Sequence, residues 1–185
     1  KLGAMAEMAA QCGADVFKAQ WVSDARLMCE RRRADAYLRA YSWLQFPVEW
    51  HATLRARCQA LGIRYGCSIY LPTDAATVAP FVSALKVSSF EAMDAALVAE
   101  AIATNLDVWV STGMMDHQDA GLIWAAINRQ AHLSGKLKLF HCVSAYPAPP
   151  DSLQLKVFGG GVNGYDGFSD HSHPDLTWTG ALAVA

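Results

Sequence analysis

The sequence has few charged residues and no marked excess of one sign. Charged side chains make up 17% of the 185 residues, and the formal net charge is −2. This balance argues against the broad basic surface by which proteins attract nucleic acid or anionic lipid. Long apolar runs are also missing, because none approaches the roughly 18 residues that span a bilayer. We therefore expect no nucleic-acid partner and no membrane partner.

Paired cysteines are a second absence. The five cysteines are odd in number, widely spaced and never in a CxxC pair, which argues against a disulfide scaffold or a zinc knuckle. The N-terminal segment KLGAMAEMAAQCG (1–13) lacks the layout of a signal peptide and is typical of an amphipathic helix. A reducing cytoplasm fits both features best.

What the sequence does contain is a large apolar fraction, 53% of its residues. Short β-branched or apolar runs alternate with helix-like segments, a pattern typical of a parallel sheet with helical crossovers. The predicted strands are ADVFKAQ (14–20), IRYGCSIY (63–70), SALKVSSFE (83–91), DVWVSTGM (107–114), KLKLFHCVSAYP (136–147) and GYDGFSDH (164–171). Helices are predicted for FPVEWHATLRARCQALG (46–62), FEAMDAALVAEAIATN (90–105) and DHQDAGLIWAAINRQAHLSG (116–135).

The number of strand–helix steps predicts an incomplete α/β barrel. Six steps would become eight with one further strand at each end, and a complete (β/α)8 TIM-type barrel typically needs about 250 residues. We therefore expect residues 1–185 to form a partial barrel truncated to strands two to seven with their helices. The long connection WVSDARLMCERRRADAYLRAYSWLQF (21–46) predicts either an active-site lid or a solvated loop with a short helix.

Polar side chains lie near or just past the end of every predicted strand, where an α/β barrel forms its ligand site. Two lysines from different strands, Lys18 and Lys86, would suit an anionic ligand, because a lysine buried near a strand end is costly without one. Serines would add hydroxyl donors, although a serine taken singly is more often a helix cap. The other strand-end residues are Gln20, Ser68, Ser89, Glu91, Ser111, His141, Ser144 and Ser169.

Read in chain order, five of these segments resemble motifs of the N-acetylneuraminate (sialic acid) synthase family. GADVFKAQ, LKVSSFE, VSTGM, LFHCVSAYPAPP and GFSDHS are similar to GADAVKFQ, KIGSGE, ISTGM, LLHCTSxYPTP and GYSDHT. The match is collinear from Gly13 to His171, and its last two motifs are the most specific.

The resemblance implies a barrel that condenses phosphoenolpyruvate with an N-acetylated aldose and water, assisted by a divalent metal, Mn²⁺ or Mg²⁺. The products would be a nine-carbon 2-keto sugar acid and phosphate. Lys18 and Lys86 would be catalytic, and His171 of SDH would ligate the metal. The remaining matched positions would bind substrate: Gln20, Ser68, Ser89, Glu91, Ser111, Ser144, Tyr146 and Ser169. His141 is expected to pack beside the pocket and His173 to lie in a surface loop.

Several family features have no counterpart in the sequence, and this leaves other functions open. A glutamate of the first strand, a second metal histidine of the eighth strand and a C-terminal antifreeze-like domain are absent. CSIY departs from the family's STPF, which makes Ser68 the weakest match. We expect this chain to be inactive by itself and the full-length parent to be a homodimer. The alternatives are a Schiff-base aldolase that uses Lys86, or a non-catalytic relative that binds sugar phosphates.

Overall fold

Strands and helices alternate along the chain in the computed structural model, which describes residues 1–116, 118–119, 136–158 and 165–173. The strands in this part of the chain are β1 Val16–Gln20, β2 Arg64–Ile69, β3 Ala84–Val87, β4 Asp107–Ser111, β5 Leu137–His141 and β6 Gly167–Phe168. The α-helices are α1 Leu2–Gln11, α2 Ala25–Arg32, α3 Leu38–Ser42, α4 Trp50–Ala60, α5 Pro72–Val78 and α6 Ala95–Ala103. Each predicted strand is confirmed, with shorter bounds than predicted. The helix predicted at 116–135 lies largely outside the described residues.

The chain divides into two compact units. The first comprises Lys1–Val87 and Ala95–Val108, and the second comprises Ser88–Asp94 and the described part of Trp109–Ala185. In the first unit β1, β2 and β3 are parallel neighbours in chain order, and in the second β5 and β6 are parallel neighbours. These parallel pairs confirm the predicted α/β class, whereas closure into an eight-stranded barrel stays a prediction. Within the described ranges, no helix has the length and apolar character needed to cross a membrane.

The register of the first three strands places their polar positions on one face. Lys18 pairs with Gly66 and Gln20 with Ser68 between β1 and β2. Ser68 also pairs with Lys86 between β2 and β3. Side chains alternate between the two faces of a strand, and register partners share a face. The two lysines, Gln20 and Ser68 therefore all project from the same side of the sheet.

The opposite face carries the apolar core of the first unit, and helix α4 covers part of it. The buried residues of α4 are His51, Leu54 and Cys58, which recur at the spacing of one helical face. The helix ends just before Gly62, whose φ of +74° is the left-handed conformation that glycine adopts readily. The strand residues of this core are Phe17, Ala19, Tyr65, Cys67, Ile69, Leu85 and Val87.

The long connection after β1 contains the short helices α2 and α3 and is anchored to the rest of the first unit, and its role as an active-site lid stays a prediction. Asp24 caps α2, because its carboxylate accepts hydrogen bonds from the backbone N–H groups of Arg26 and Leu27. Beyond the cap, Val22, Ala25 and Met28 form a buried cluster with Leu71, and Leu38, Tyr41, Leu44 and Tyr70 pack against it. Burying each large apolar side chain of such a cluster stabilises the fold by about 1.5–3 kcal/mol.

A buried carboxylate joins this connection to the loop after β2. Asp74 is fully buried in α5. It accepts hydrogen bonds from the backbone N–H of Ser23 at 3.3 Å and of Leu71 at 3.1 Å. On the other side, the amide nitrogen of Gln45 donates to the Ser23 carbonyl at 2.9 Å. The chain that follows the candidate residues of β1 is thus held by Asp74 of α5 and by Gln45 near the end of the same connection.

Candidate functional site

In the first unit, Lys18 and Ser68 are in direct contact. Nζ of Lys18 donates a hydrogen bond to Oγ of Ser68 at 2.8 Å. Ser68 is buried and Lys18 is half-buried. Burial lowers the pKa of the Lys18 amine, and a smaller charge interaction with Cys67 opposes that shift. A bound anion would favour the ammonium form and so raise this pKa again.

Ser68 stands between the two predicted catalytic lysines. It is hydrogen-bonded to Lys18 and is the register partner of Lys86, which is half-buried on the next strand. Gln20 is exposed at the end of β1 on the same face. Ser68, the weakest match to the family motifs, is therefore central to this cluster. It lies on β2, between the two strands that carry Lys18 and Lys86.

In the second unit, Ser89, Cys142 and Gly113 meet in one hydrogen-bonded cluster. The Ser89 hydroxyl lies 2.8 Å from the Cys142 sulfur and accepts from the backbone N–H of Gly113 at 3.2 Å. Ser89 and Cys142 are only 8% and 4% exposed. Cys142 lies in the LFHCVSAYPAPP motif but was not predicted as a site residue, because the motif does not show which side chain the thiol contacts.

Gly113 allows the backbone to approach this cluster closely. A Cβ atom at this position would lie 2.6 Å from the sulfur of Cys142 and 2.6 Å from the hydroxyl of Ser144. Such contacts are shorter than packed atoms tolerate. The close approach explains why the VSTGM segment contains a glycine at this position.

His171 is held by hydrogen bonds at both ring nitrogens. Its Nδ1 lies 2.8 Å from the carbonyl oxygen of Val143, and its Nε2 lies 3.0 Å from the hydroxyl of Tyr146. A carbonyl only accepts, so Nδ1 carries the proton and Nε2 has the lone pair. Metal-binding histidines commonly have this arrangement, in which the second nitrogen donates to a carbonyl. The prediction that His171 ligates a metal stays a prediction.

Tyr146 and Ser144 are the exposed members of the predicted set. Tyr146 is 77% exposed, yet its ring centroid lies 4.1 Å from that of His171. Ser144 is exposed beside Gly113. Ser144 lines a cavity of about 370 Å³ in the second unit, together with Gly113 and Cys142.

The remaining predicted residues are buried or half-buried near strand ends. Ser111 is buried as the last residue of β4. Glu91 is buried at the start of a 3-10 turn, where its carboxylate accepts a hydrogen bond from the Ser88 hydroxyl. The backbone N–H of Ser169 donates to the carbonyl of His141 at 2.8 Å, which fixes the chain just after β6. Their substrate-binding roles stay predictions.

His141 packs in the core as expected. Its Nε2 lies 2.9 Å from the carbonyl oxygen of Leu153, and the ring contacts those of Phe158, Tyr165 and Phe168. His173 is exposed. Among the described residues, no group of three or more His, Cys, Asp or Glu side chains is arranged to hold a metal ion.

His51 is a buried histidine that belongs to none of the sequence motifs. Its Nδ1 lies 2.7 Å from the hydroxyl of Tyr65, and aromatic rings of Trp21, Phe46 and Phe81 surround it. Burial lowers the pKa of His51 to about 4. It belongs to the core on the face of the sheet opposite Lys18, so it stabilises the fold rather than contributing to the candidate site.

Parallel βα units define an α/β protein, and lysine, serine and histidine side chains lie at or near the ends of its strands. A comparison with protein-family models identifies the family within this class. The model of the NeuB family matches residues 5–185, and the chain belongs to this family, that of the sialic acid synthases.

Two curated relatives share sequence with the chain. It is 27% identical over 187 residues to the spore coat polysaccharide biosynthesis protein SpsE of Bacillus subtilis, covering 92% of this chain and 49% of that protein. It is 30% identical over 121 residues to the N-acetylneuraminate-9-phosphate synthase of Drosophila melanogaster, covering 62% of this chain and 31% of that protein. The chain thus spans half or less of these relatives.

A solved structure has the same fold. The crystal structure of the N-acetylneuraminic acid (sialic acid) synthetase of Leptospira borgpetersenii serovar Hardjo-bovis, in complex with citrate, superposes with a TM-score of 0.76. The match covers 92% of this chain and 59% of that one at 21% identity. This likeness supports the fold of the chain and leaves its substrates to be inferred.

Proposed function

We propose that the full-length protein condenses phosphoenolpyruvate with an N-acetylated aldose and water, giving a nine-carbon 2-keto sugar acid and phosphate. The observation that carries this proposal is the Lys18–Ser68 hydrogen bond, with Lys86 in register beside it. Phosphoenolpyruvate carries a phosphate and a carboxylate, so it needs a cationic, hydrogen-bonding site. Membership of the NeuB family supports the same chemistry.

Lys18 and Lys86 would hold the anionic groups of phosphoenolpyruvate. Lys18 is partly removed from water, and an ammonium in such surroundings interacts more strongly with an anion than it would in bulk water. Ser68 would orient the Lys18 amine through the hydrogen bond described above. Hydroxyl groups of Ser89, Ser111 and Ser169 would add neutral donors around the phosphate.

The acceptor sugar would contact a second set of polar side chains, which are longer or more exposed than the serines proposed for the phosphate. The Glu91 carboxylate and the Gln20 amide would bind sugar hydroxyls, while Ser144 and Tyr146 would line the pocket. Glu91 is held by Ser88, and a fixed carboxylate orients a hydroxyl better than a free one. The identity of the acceptor sugar would depend on the loops next to these residues.

The residues around His171 fit a divalent metal, Mn²⁺ or Mg²⁺. The Val143 carbonyl accepts from Nδ1–H, so Nε2 would be the atom that binds the metal, in place of its hydrogen bond with the Tyr146 hydroxyl. Imidazole suits Mn²⁺ better than Mg²⁺, and substrate oxygens with water would supply the other positions. When bound, the metal would polarise the aldehyde of the acceptor.

The protein would then catalyse the reaction mainly by positioning the two substrates, rather than by covalent catalysis. The enol carbon of phosphoenolpyruvate forms a bond to the aldehyde carbon of the acceptor. Water adds to the carbon that bears the phosphate, and the tetrahedral intermediate expels phosphate. The two lysines hold the phosphate through both steps, which is positioning and electrostatic work. We also propose that the full-length protein is a homodimer, as its resemblance to the family implies.

Phosphate release tests the proposed function. The full-length protein is incubated with phosphoenolpyruvate, Mn²⁺ and, in turn, N-acetylmannosamine, its 6-phosphate and diacetamido sugars. We expect one acceptor to give one phosphate per sugar acid formed, and chelation of the metal to stop the reaction. Borohydride trapping of a pyruvyl adduct on Lys86, with activity indifferent to chelator, would favour the aldolase instead. Binding of the sugars without turnover would indicate the non-catalytic relative.

A further inference from the structure

We propose that Cys142 is a positioning residue for Ser89: its thiol orients the serine hydroxyl so that the hydroxyl proton faces the donor substrate. This inference rests on the proposed function, in which Ser89 donates to the phosphate of phosphoenolpyruvate. The supporting contacts are the 2.8 Å separation of the sulfur and the hydroxyl oxygen, and the 3.2 Å hydrogen bond from Gly113 to that oxygen.

The hydrogen-bonding capacity of a hydroxyl group explains the effect. A serine hydroxyl has one proton to donate and two lone pairs to accept with. The Gly113 N–H occupies one lone pair. When the Cys142 S–H occupies the other, the hydroxyl proton is left free to point away from both neighbours. An anion beside Ser89 favours that orientation, because only the proton of the hydroxyl can stabilise negative charge.

The surroundings make the cluster rigid enough for this role. Ser89 and Cys142 are buried, so bulk water does not compete for their hydrogen bonds. Gly113 has no room for a side chain against Cys142 and Ser144, which fixes its N–H beside the Ser89 oxygen. Cys142 also lines the cavity of about 370 Å³ together with Gly113 and Ser144. The thiol therefore contacts the Ser89 hydroxyl and also lines this cavity of the second unit.

A double-mutant cycle separates this role from simple packing. Four variants of the full-length protein are compared: Ser89→Ala, Cys142→Ala, Cys142→Ser and Ser89→Ala with Cys142→Ala. The KM for phosphoenolpyruvate and kcat are measured by phosphate release. Loss of one buried hydrogen bond to a charged ligand typically weakens binding about tenfold. We expect Ser89→Ala to raise KM about tenfold and Cys142→Ala to raise it about threefold to tenfold, with kcat changed less than about twofold.

The conservative and double variants give the decisive readouts. Cys142→Ser keeps a donor at the same place, so its KM should stay within about twofold of the unchanged protein. The double variant should be no worse than Ser89→Ala alone, because the thiol acts only through the hydroxyl. Additive effects, or an unchanged KM in Cys142→Ala, would overturn the role of Cys142.

Controls distinguish this outcome from misfolding and from failure of the proposed function. Cys58→Ala removes a fully buried thiol from α4 and should leave KM unchanged. Cys142→Val fills the space without a donor and should behave like Cys142→Ala if the hydrogen bond matters, while thermal unfolding checks its fold. Absence of phosphoenolpyruvate-dependent phosphate release from the unchanged protein would overturn the proposed function itself. Release that depends on Ser89 but is unaffected by Cys142 would overturn only this inference.

Discussion

The two units hold their polar groups in different ways. In the first, the half-buried Lys18 carries a charge and is hydrogen-bonded to Ser68 on the neighbouring strand. In the second, neutral groups are crowded together, and Gly113 lacks the space for even a methyl group. The comparison teaches that the first unit should be sensitive to loss of charge and the second to change of shape.

Removal of charge from the first unit should have the largest effect. We expect Lys18→Met to lower kcat/KM for phosphoenolpyruvate by about 10³-fold, because the variant keeps the length of the side chain but loses the cation. Phosphate release measures this, and Lys156→Met, at an exposed lysine, is the matched control. A fall in kcat/KM of less than about threefold would contradict the expected charge sensitivity of the first unit, since the charge of Lys18 would then be unimportant.

Loss of the predicted metal ligand should have the next largest effect. His171→Ala should lower metal-dependent turnover by about 10²-fold and weaken Mn²⁺ binding, with the fold intact. Binding is followed by the electron paramagnetic resonance of free Mn²⁺, a readout that does not depend on turnover. His173→Ala, two residues away and exposed, should change neither quantity. Unchanged Mn²⁺ binding in His171→Ala would remove His171 from the site.

A change of shape in the second unit should have a smaller but clear effect. Gly113→Ala should lower kcat/KM about tenfold or more and reduce the Tm, because the added methyl group would displace Cys142 or Ser144. Gly3→Ala is the control, since a Cβ there has nothing within 4 Å. If both variants behave alike, the second unit is not sensitive to shape and the comparison fails.

The smallest expected effect is a loss of stability at low pH, caused by His51 in the apolar core of the first unit. The pKa of His51 is about 4 in the folded chain and 6.5 is its ordinary value, so the unfolded state binds more protons between these limits. Stability is then full above pH 6.5 and falls as the pH drops towards 4. We expect a loss of about 2 kcal/mol in the free energy of unfolding between pH 7 and pH 5.

Chemical denaturation at the two pH values checks this prediction. The double variant His51→Phe with Tyr65→Phe removes the titrating group and the hydroxyl that binds it, so neither polar group is left buried alone. We expect the free energy of unfolding of this variant to change by about 2 kcal/mol less between pH 5 and pH 7, which is the amount assigned to His51. An equal pH dependence in both proteins would mean that other groups cause the acid sensitivity.

The sequence was a good guide to the strands because their centres are apolar and their ends are polar. That pattern predicted the β1, β2 and β3 positions from which Lys18, Ser68 and Lys86 share one face. It could not predict the anchoring of the connection after β1, because Asp74 contacts Ser23 from 51 positions away and Gln45 contacts it from 22 positions away. Helical spacing identifies α2 only weakly, since its buried face is short.

The candidate site was predicted least well where it depends on contacts between distant residues. Cys142 lies 53 positions from Ser89, and no spacing rule connects a thiol with a hydroxyl. His51 looked unremarkable on a helix, because its burial arises from aromatic rings on other segments. Motif similarity indicated the candidate residues, whereas it could not indicate the residues that contact them and hold them in place.

The carboxylate of Asp74 has a practical consequence for protein engineering. It bonds the backbone after β1 and the backbone before α5 at once. Both partners are backbone N–H groups, so a transplant of residues 21–49 from a relative should keep the hydrogen bond to residue 23 as long as Asp74 remains. Chimeras that replace residues 70–74 by a segment without this carboxylate should instead lose the anchoring of the connection after β1.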